Sequence, residues 1–208
     1  MYCKFFKRFI DIVLSALGII ILGIPMLIVA IIIKIDSPGP VFFKQERVGL
    51  HKKPFTILKF RSMRCDTPKN VPTHMLSGAQ SYITKFGAFI RKTSIDELPQ
   101  MFCIFIGTMT IIGPRPALFN QTDLLAERDK YGANDVKPGL TGLAQIRGRD
   151  ELPIEVKAAY DGEYVKKITF IGDLKLFFGT ILSVLKSDGV VEGNVSDEQI
   201  NKEEKLVK

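Results

Sequence analysis

The longest apolar stretch of the chain runs from Phe9 to Ile33 and is interrupted by Asp11, Ser15 and Pro25. As one helix at 1.5 Å per residue it extends about 37 Å, enough to cross a hydrocarbon core of about 30 Å. Pro25 divides it into halves of about 24 and 14 Å, neither of which crosses alone, so a re-entrant hairpin bent at Pro25 is the second reading. Lys4, Lys7 and Arg8 precede the stretch, and Lys34, Lys44, Arg47, Lys52 and Lys53 follow it. Both flanks therefore carry the basic signature of the cytoplasmic side, which a hairpin satisfies twice and a simple span once. The stretch is too long for the core of a cleavable signal, and KIDSPGP follows it in place of small residues. The residue pattern leaves span and hairpin open.

Beyond it the period changes. PVFFKQERV, a polar turn from Gly49 to Lys53, and PFTILKFRSM read as a β-hairpin over Pro40 to Met63. Phe55, Ile57, Lys59 and Arg61 share parity, so Lys59 and Arg61 fall on one strand face, where they would meet an anion or solvent. Cys65 to Ser81 reads as a polar loop. Phe86, Phe89 and Ile90 have helical spacing, as does the apolar run from Met101 to Ile106. Asn120 to Tyr131 reads as a polar helix. A further helix is expected from Pro153 through Lys167, with Tyr160, Asp161, Glu163 and Tyr164 along it as a mixture that reads a base or sugar, or as plain surface. Leu174, Phe177, Phe178, Ile181, Leu182 and Leu185 form a stripe that belongs in a core or against a bilayer. From Ser187 the chain is polar, ending in NKEEKLVK. The fold class expected is α+β, predominantly helical with a small β-hairpin, in three parts: a membrane segment 1–36, a catalytic domain 37–187 and a flexible tail 188–208.

Composition narrows the setting. At 208 residues and 46% hydrophobic the chain buries a sizeable core, and 29 basic against 22 acidic side chains give it a net charge of +7. That balance favours anionic partners without separating nucleic acid from lipid headgroups or phosphorylated substrates. Cys3, Cys65 and Cys103 show no paired spacing, which argues against a disulfide framework or a zinc site. His51 and His74 both sit in polar, loop-like sequence, so a histidine-centred triad is not expected.

The candidate chemistry centres on RKTSIDELPQ, Arg91 to Gln100. Thr93 and Ser94 are good N-cap residues and Pro99 fits a first helical turn, which places Asp96 and Glu97 at a positive helix end with free backbone N–H groups. Successive helical side chains point about 100° apart, which suits one nucleophile and one metal ligand better than an acid and base sharing one bond. Ser94 with Glu97 is equally a capping box, which needs no chemistry. In GTMTIIGPRP two prolines stiffen the chain around Arg115, and VKPGLTGLAQIRGR brings Gly139, Gly142 and Gly148 close together without the spacing of a P-loop.

Taken in order, the apolar N-terminus, KFRSM at Lys59 to Met63, RKTSIDELPQ, GPRP at Gly113 to Pro116 and PGLTGLAQIRGR resemble the bacterial sugar transferases, the monotopic phosphoglycosyl transferases. The likeness runs from the first residues to about Lys186. It implies a membrane-anchored enzyme that moves a phospho-sugar from a UDP-sugar onto undecaprenyl or another polyprenol phosphate and releases UMP. On that resemblance Asp96 is the nucleophile that forms a covalent phosphosugar intermediate. Glu97, with Asp96, holds Mg²⁺. Lys59, Arg91, Arg115 and Arg147 are candidate phosphate-binding cations, and Pro25 is the break of a re-entrant helix. The partners implied are UDP-sugar, undecaprenyl phosphate and membrane lipids, with no nucleic acid and with a homo-oligomer left open. The setting implied is the cytoplasmic face of the bacterial inner membrane. The chain departs from the family pattern at Cys103, Ile106, Thr108, Leu143 and Arg147, the last two bearing on nucleotide or sugar contacts. The rival readings are a membrane-tethered binding protein for anionic lipid or nucleic acid, and a metal-dependent phosphohydrolase.

Overall fold

A computed structural model describes residues 2–68, 78–148 and 152–186. The tail expected from 188, His74 and the middle of the Cys65 to Ser81 loop lie outside these residues. The fold is mostly helical with two small sheets and a long apolar N-terminal helix.

A π-helical turn, Tyr2–Phe6, leads into α1, Lys7–Asp36. Among the described residues α1 is the one helix long and apolar enough to cross a membrane. It runs through Pro25 without interruption, so the break expected there is not a helix end: the proline removes one hydrogen bond and the flanking turns carry on. Most of its surface is apolar and exposed, Ile20, Ile24 and Ile35 among it, while Met26, Val29 and Ile33 are buried against Phe60 and Ile90. Gly18 faces α4, where a Cβ would stand 2.6 Å from Met101 Sδ, the movable end of a flexible side chain.

Polar bonds tie both ends of α1 to the rest of the chain. Near its start, Lys7 Nζ lies 2.6 Å from Asp173 Oδ2, and Asp11 accepts from the Thr110 hydroxyl at 2.7 Å and from Ile111 N–H at 3.0 Å. Arg8 donates to the carbonyls of Ile104 at 2.6 Å and Phe105 at 2.7 Å. At the far end Arg61 donates to the Ser37 carbonyl at 2.6 Å, and to those of Ile33 and Pro38. The strand parity that offered Arg61 to an anion instead brings it to the last carbonyls of α1, where a cation complements the helix dipole.

The hairpin forms as expected. β1, Phe42–Val48, pairs antiparallel with β2, Pro54–Phe60, in a register that sets Phe42 opposite Phe60 and Val48 opposite Pro54. The turn takes left-handed φ at His51 and Lys52. Phe60 packs on α1, and Ile57, on the other face, packs with Cys103, Ile104 and Met109, so the hairpin lies between two helical layers. Short α2, Ala79–Tyr82, and α3, Lys85–Lys92, follow; Thr84 caps α3 by accepting from Gly87 N–H at 2.9 Å.

After α4, Gln100–Ile106, comes a second sheet the sequence did not announce. β3, Thr110–Ile112, runs parallel to β4, Gly139–Thr141, across a connection that holds α5, Thr122–Asp129. A Cβ at Gly142 would stand 2.2 Å from the Gly113 carbonyl oxygen, which is why glycines meet at this crossing. Then follow α6, Leu143–Ile146, α7, Ile154–Lys166, and α8, Phe170–Lys186. In α7, Asp161 and Tyr164 are buried structural groups, not readers of a base: Asp161 pairs with Arg128, and the Tyr164 hydroxyl donates to the Ile112 carbonyl at 2.9 Å. The stripe on α8 is surface. Leu174, Phe177, Phe178, Ile181 and Leu182 are all exposed, which sets aside the core alternative.

Candidate active site: an unequal carboxylate pair

The acids do not open a helix in the way their flanking residues suggest. Thr93 serves the end of α3, its hydroxyl donating to the Phe89 carbonyl at 2.8 Å. Ser94 has a left-handed φ of 56° and caps nothing with its side chain. Asp96 and Glu97 lie on a 3₁₀ turn, Ile95–Glu97, and α4 begins only at Gln100. The Glu97 N–H is bonded to the Ser94 carbonyl at 3.2 Å, so it is not a free donor for phosphate. The capping box is also absent, because the Glu97 carboxylate turns towards two cations.

Lys59 Nζ lies 2.6 Å from Glu97 Oε1, and Arg115 Nη2 lies 2.9 Å from the same oxygen. Lys59 comes from β2, whose register aims it at the turn, and Arg115 from the GPRP loop after β3. The loop is braced from behind. Arg128 Nη1 donates to the Arg115 carbonyl at 3.0 Å, and its Nη2 pairs with Asp161 Oδ2 at 2.6 Å, both of these side chains being almost fully buried. Nothing local in the sequence marked Arg128 and Asp161 as this brace, since the partners come from α5 and α7.

Asp96 is in a different position. It is 7% exposed and accepts no hydrogen bond from any described residue. Burial pushes its carboxyl up to about 6, and the charge of Glu97 adds to this against Lys59, Arg91 and Arg115. Burial acts on Glu97 in the same sense, but Arg115 and Lys59 outweigh it and hold that carboxyl well below the usual carboxylate range. Two consecutive acids thus have pKa values driven apart, as in sites where two carboxyls divide two roles.

Of the expected cations, Lys59 and Arg115 bond Glu97, and Arg91, in the last turn of α3, acts on Asp96 through its charge. Arg147 does not join them. It pairs with Glu163 at 3.3 Å and lies 4.8 Å over the Tyr160 ring. Pro25 stands within α1, away from the acids in sequence and role.

Among the described residues no three His, Cys, Asp or Glu side chains cluster to form a metal cage. Magnesium, however, is usually held by one or two carboxylates, with phosphate oxygens and water completing the shell. Glu97 fits that mode: both cations bond Oε1, and its other oxygen accepts from no described residue.

Residues 2–187 match the family described as Bacterial sugar transferase. The chain is 38% identical to the sugar transferase EpsL of Bacillus subtilis (strain 168), an alignment covering 90% of this chain and 91% of that one. It is 37% identical to the UDP-glucose:undecaprenyl-phosphate glucose-1-phosphate transferase of Caulobacter vibrioides, over 88% of this chain and 70% of the relative. It is 34% identical to the undecaprenyl-phosphate galactose phosphotransferase of Salmonella typhimurium, over 89% of this chain and 42% of that longer protein. A match that takes in α1, the carboxylate turn, the GPRP loop and the helices behind them assigns the whole described fold at once, and the chain belongs to the bacterial sugar transferase family.

Proposed function

We propose that this chain transfers a sugar 1-phosphate from a UDP-sugar to undecaprenyl phosphate at a membrane surface, by way of a covalent intermediate on Asp96. The observation that carries the reading is the inequality of the two acids: one pinned by cations, the other buried beside it with no hydrogen bond to its oxygens from any described residue. A carboxylate engaged by two cations is a poor nucleophile. One with no cation hydrogen-bonded to it among the described residues is a better one.

In the first half-reaction an Asp96 oxygen bonds to the β-phosphorus of the UDP-sugar as the bond from that phosphorus to the bridging oxygen breaks, and UMP leaves with the electron pair. In the second, a phosphate oxygen of the polyprenyl phosphate bonds to the same phosphorus and the Asp96 carboxylate departs. Lys59, Arg91 and Arg115 place three positive charges against two negative ones, which draws a diphosphate in and offsets charge on its leaving group. Glu97 orients Lys59 and Arg115 and would hold Mg²⁺, which when bound neutralises diphosphate charge. The two-step route suits the substrates, since one soluble and one lipid anion need not occupy the site together.

The membrane reading for α1 is a monotopic one. The Lys7–Asp173 and Arg8–Ile104 bonds at its start and the Arg61 bonds at its end all involve one folded body. A helix that crossed the bilayer would leave one of these polar sets on the far side from its partners. Both ends therefore lie on one face, with the apolar side of α1 in lipid, and the basic flanks make that face the cytoplasmic one.

The test is purified chain with Mg²⁺, undecaprenyl phosphate in vesicles and a panel of UDP-sugars. Repeated turnover with UMP release is expected only with the lipid acceptor, at most one equivalent of UMP per chain being released without it. Multiple-turnover release of nucleotide or phosphate without the lipid would make the chain a hydrolase, and no turnover on any sugar would leave only a binding role.

A further inference from the structure

The short helix after β4 carries a single polar side chain. In α6, Ala144 is buried and Ile146 packs towards Gly179, where a Cβ would stand 3.3 Å from Ile146 Cδ1. Gln145 is 6% exposed, and neither its Oε1 nor its Nε2 makes a hydrogen bond with any described residue. A methionine or a leucine fills such a space without leaving a buried donor and acceptor unmatched, so packing alone does not account for a glutamine here.

The amide lies against the GPRP loop. A Cβ at Gly142 would stand 2.9 Å from Gln145 Oε1 and 2.2 Å from the Gly113 carbonyl oxygen, so both oxygens crowd one point. The Gly113 carbonyl likewise accepts from no described residue. Two acceptors with no donor between them repel. A half-turn about the terminal bond of the glutamine, a torsion with two broad wells, exchanges Oε1 for Nε2 and sets a donor before that carbonyl.

This carbonyl is the missing member of a set. Of three successive carbonyls in the loop, that of Pro114 accepts from Gly139 N–H at 2.8 Å and that of Arg115 from Arg128 Nη1 at 3.0 Å. Only the first, at Gly113, lacks a donor, and Gln145 is the donor beside it. The direction of that carbonyl is the ψ of Gly113, a soft torsion immediately ahead of the proline-restricted backbone from which Arg115 emerges. Arg115 Nη2 in turn bonds Glu97 Oε1 at 2.9 Å.

We propose that Gln145 is a positioning residue for transfer, its carboxamide N–H latching the Gly113 carbonyl and so completing the bracing of the loop that presents Arg115. The inference deepens the transferase reading above and rests on it for the consequence in activity.

The experiment is a double-substitution cycle on the full chain. Thermal unfolding midpoints, and kcat and KM for the UDP-sugar, are measured for the wild type, Gln145→Met, Arg115→Met and the two together, and the set is repeated with Gln145→Leu as a shorter side chain. Thr180→Val is the control, since it removes a 2.8 Å hydroxyl contact with Thr141 on β4 and does not touch Gly113. Arg115→Met is expected to lower the midpoint by about 4 °C in the wild-type background and by less than half as much beside Gln145→Met, because the contact with Glu97 is then already loosened. In Gln145→Met, kcat/KM is expected to fall about tenfold or more, and Gln145→Met added to Arg115→Met lowers it no further, whereas Thr180→Val keeps it. Additive midpoints, unchanged kcat/KM in Gln145→Met, or an equal loss in Thr180→Val overturns the proposal. Failure of both Gln145 variants to fold assigns the side chain to the core and overturns it as well. The midpoint cycle needs no turnover, so coupled midpoints in an inactive chain would sink the transferase reading and leave the latch standing.

Discussion

Lys59 Nζ and Glu97 Oε1 stand 2.6 Å apart, each side chain 17% exposed, and the pair joins the hairpin to the turn that carries Asp96. The contact fixes two things together: where the strand ends relative to the acids, and which of the two acids receives the cations.

Lys59→Met is therefore expected to impair catalysis through the dyad and not by unfolding. Glu97 retains Arg115, so a stability loss of about 1–2 kcal/mol is expected by denaturant titration. The rate of the first half-reaction should fall by about a hundredfold or more, on the scale of other preorganised charge contacts. A folded Lys59→Met protein at near wild-type rate would mean that the pair is scaffold alone.

The pH dependence follows from Asp96. Attack needs the carboxylate, so kcat/KM for the UDP-sugar is expected to fall about tenfold per unit below a pH of about 6. Stability runs the other way. The folded-state pKa of about 6 lies above the ordinary 3.8, so the fold favours the protonated acid, and that contribution is whole at low pH and lost as pH rises through about 6. Asp96→Asn should thus abolish transfer and stabilise the protein by up to about 3 kcal/mol at neutral pH, the gain fading below about pH 4. Thermal unfolding of both proteins across that range checks the sign.

Arg128→Met removes the brace behind Arg115 and strands the Asp161 carboxyl in the interior. A loss of about 3–5 kcal/mol is expected from the orphaned partner. Removing both charges, in Arg128→Met with Asp161→Leu, is expected to restore most of that stability without restoring activity, because the Arg115 carbonyl still lacks its donor. Activity that returns with stability would show that the brace is structural only.

Much of this was legible in the chain and some was not. The alternation of Phe55, Ile57 and Lys59 marks the hairpin and leaves anion or solvent open for Lys59, and the prolines around Arg115 mark a stiff cation, because these are local signals. Ser94 misled: its type suits a cap, but the left-handed turn before Ile95 uses its backbone and not its hydroxyl. β3 and β4 are three residues each and pair across a long connection at a glycine crossing, so neither period nor propensity reveals them. Arg8, Asp11 and Arg61 read as flanking charge and strand surface, and their role as the fastenings of α1 exists only in three dimensions. Arg147 is a phosphate candidate on the family resemblance alone, and the structure pairs it with Glu163 and sets it over the Tyr160 ring.

Topology is tested by cysteine labelling of Lys4→Cys and Lys34→Cys, on either flank of the apolar run, in a background without Cys3 and Cys65. Both are expected to react with an impermeant reagent only after the cells are opened. Labelling of one position in intact cells would make α1 a span and separate Lys7 or Arg61 from its partner.

The most direct measurement is of the bond itself. The protein is incubated with a UDP-sugar and no lipid acceptor, quenched, digested and examined by mass spectrometry. A hexose-phosphate mass increment on Asp96, discharged on adding undecaprenyl phosphate, is the expected result. An increment mapped to any other side chain, or turnover with no adduct under conditions that trap one, would contradict the account.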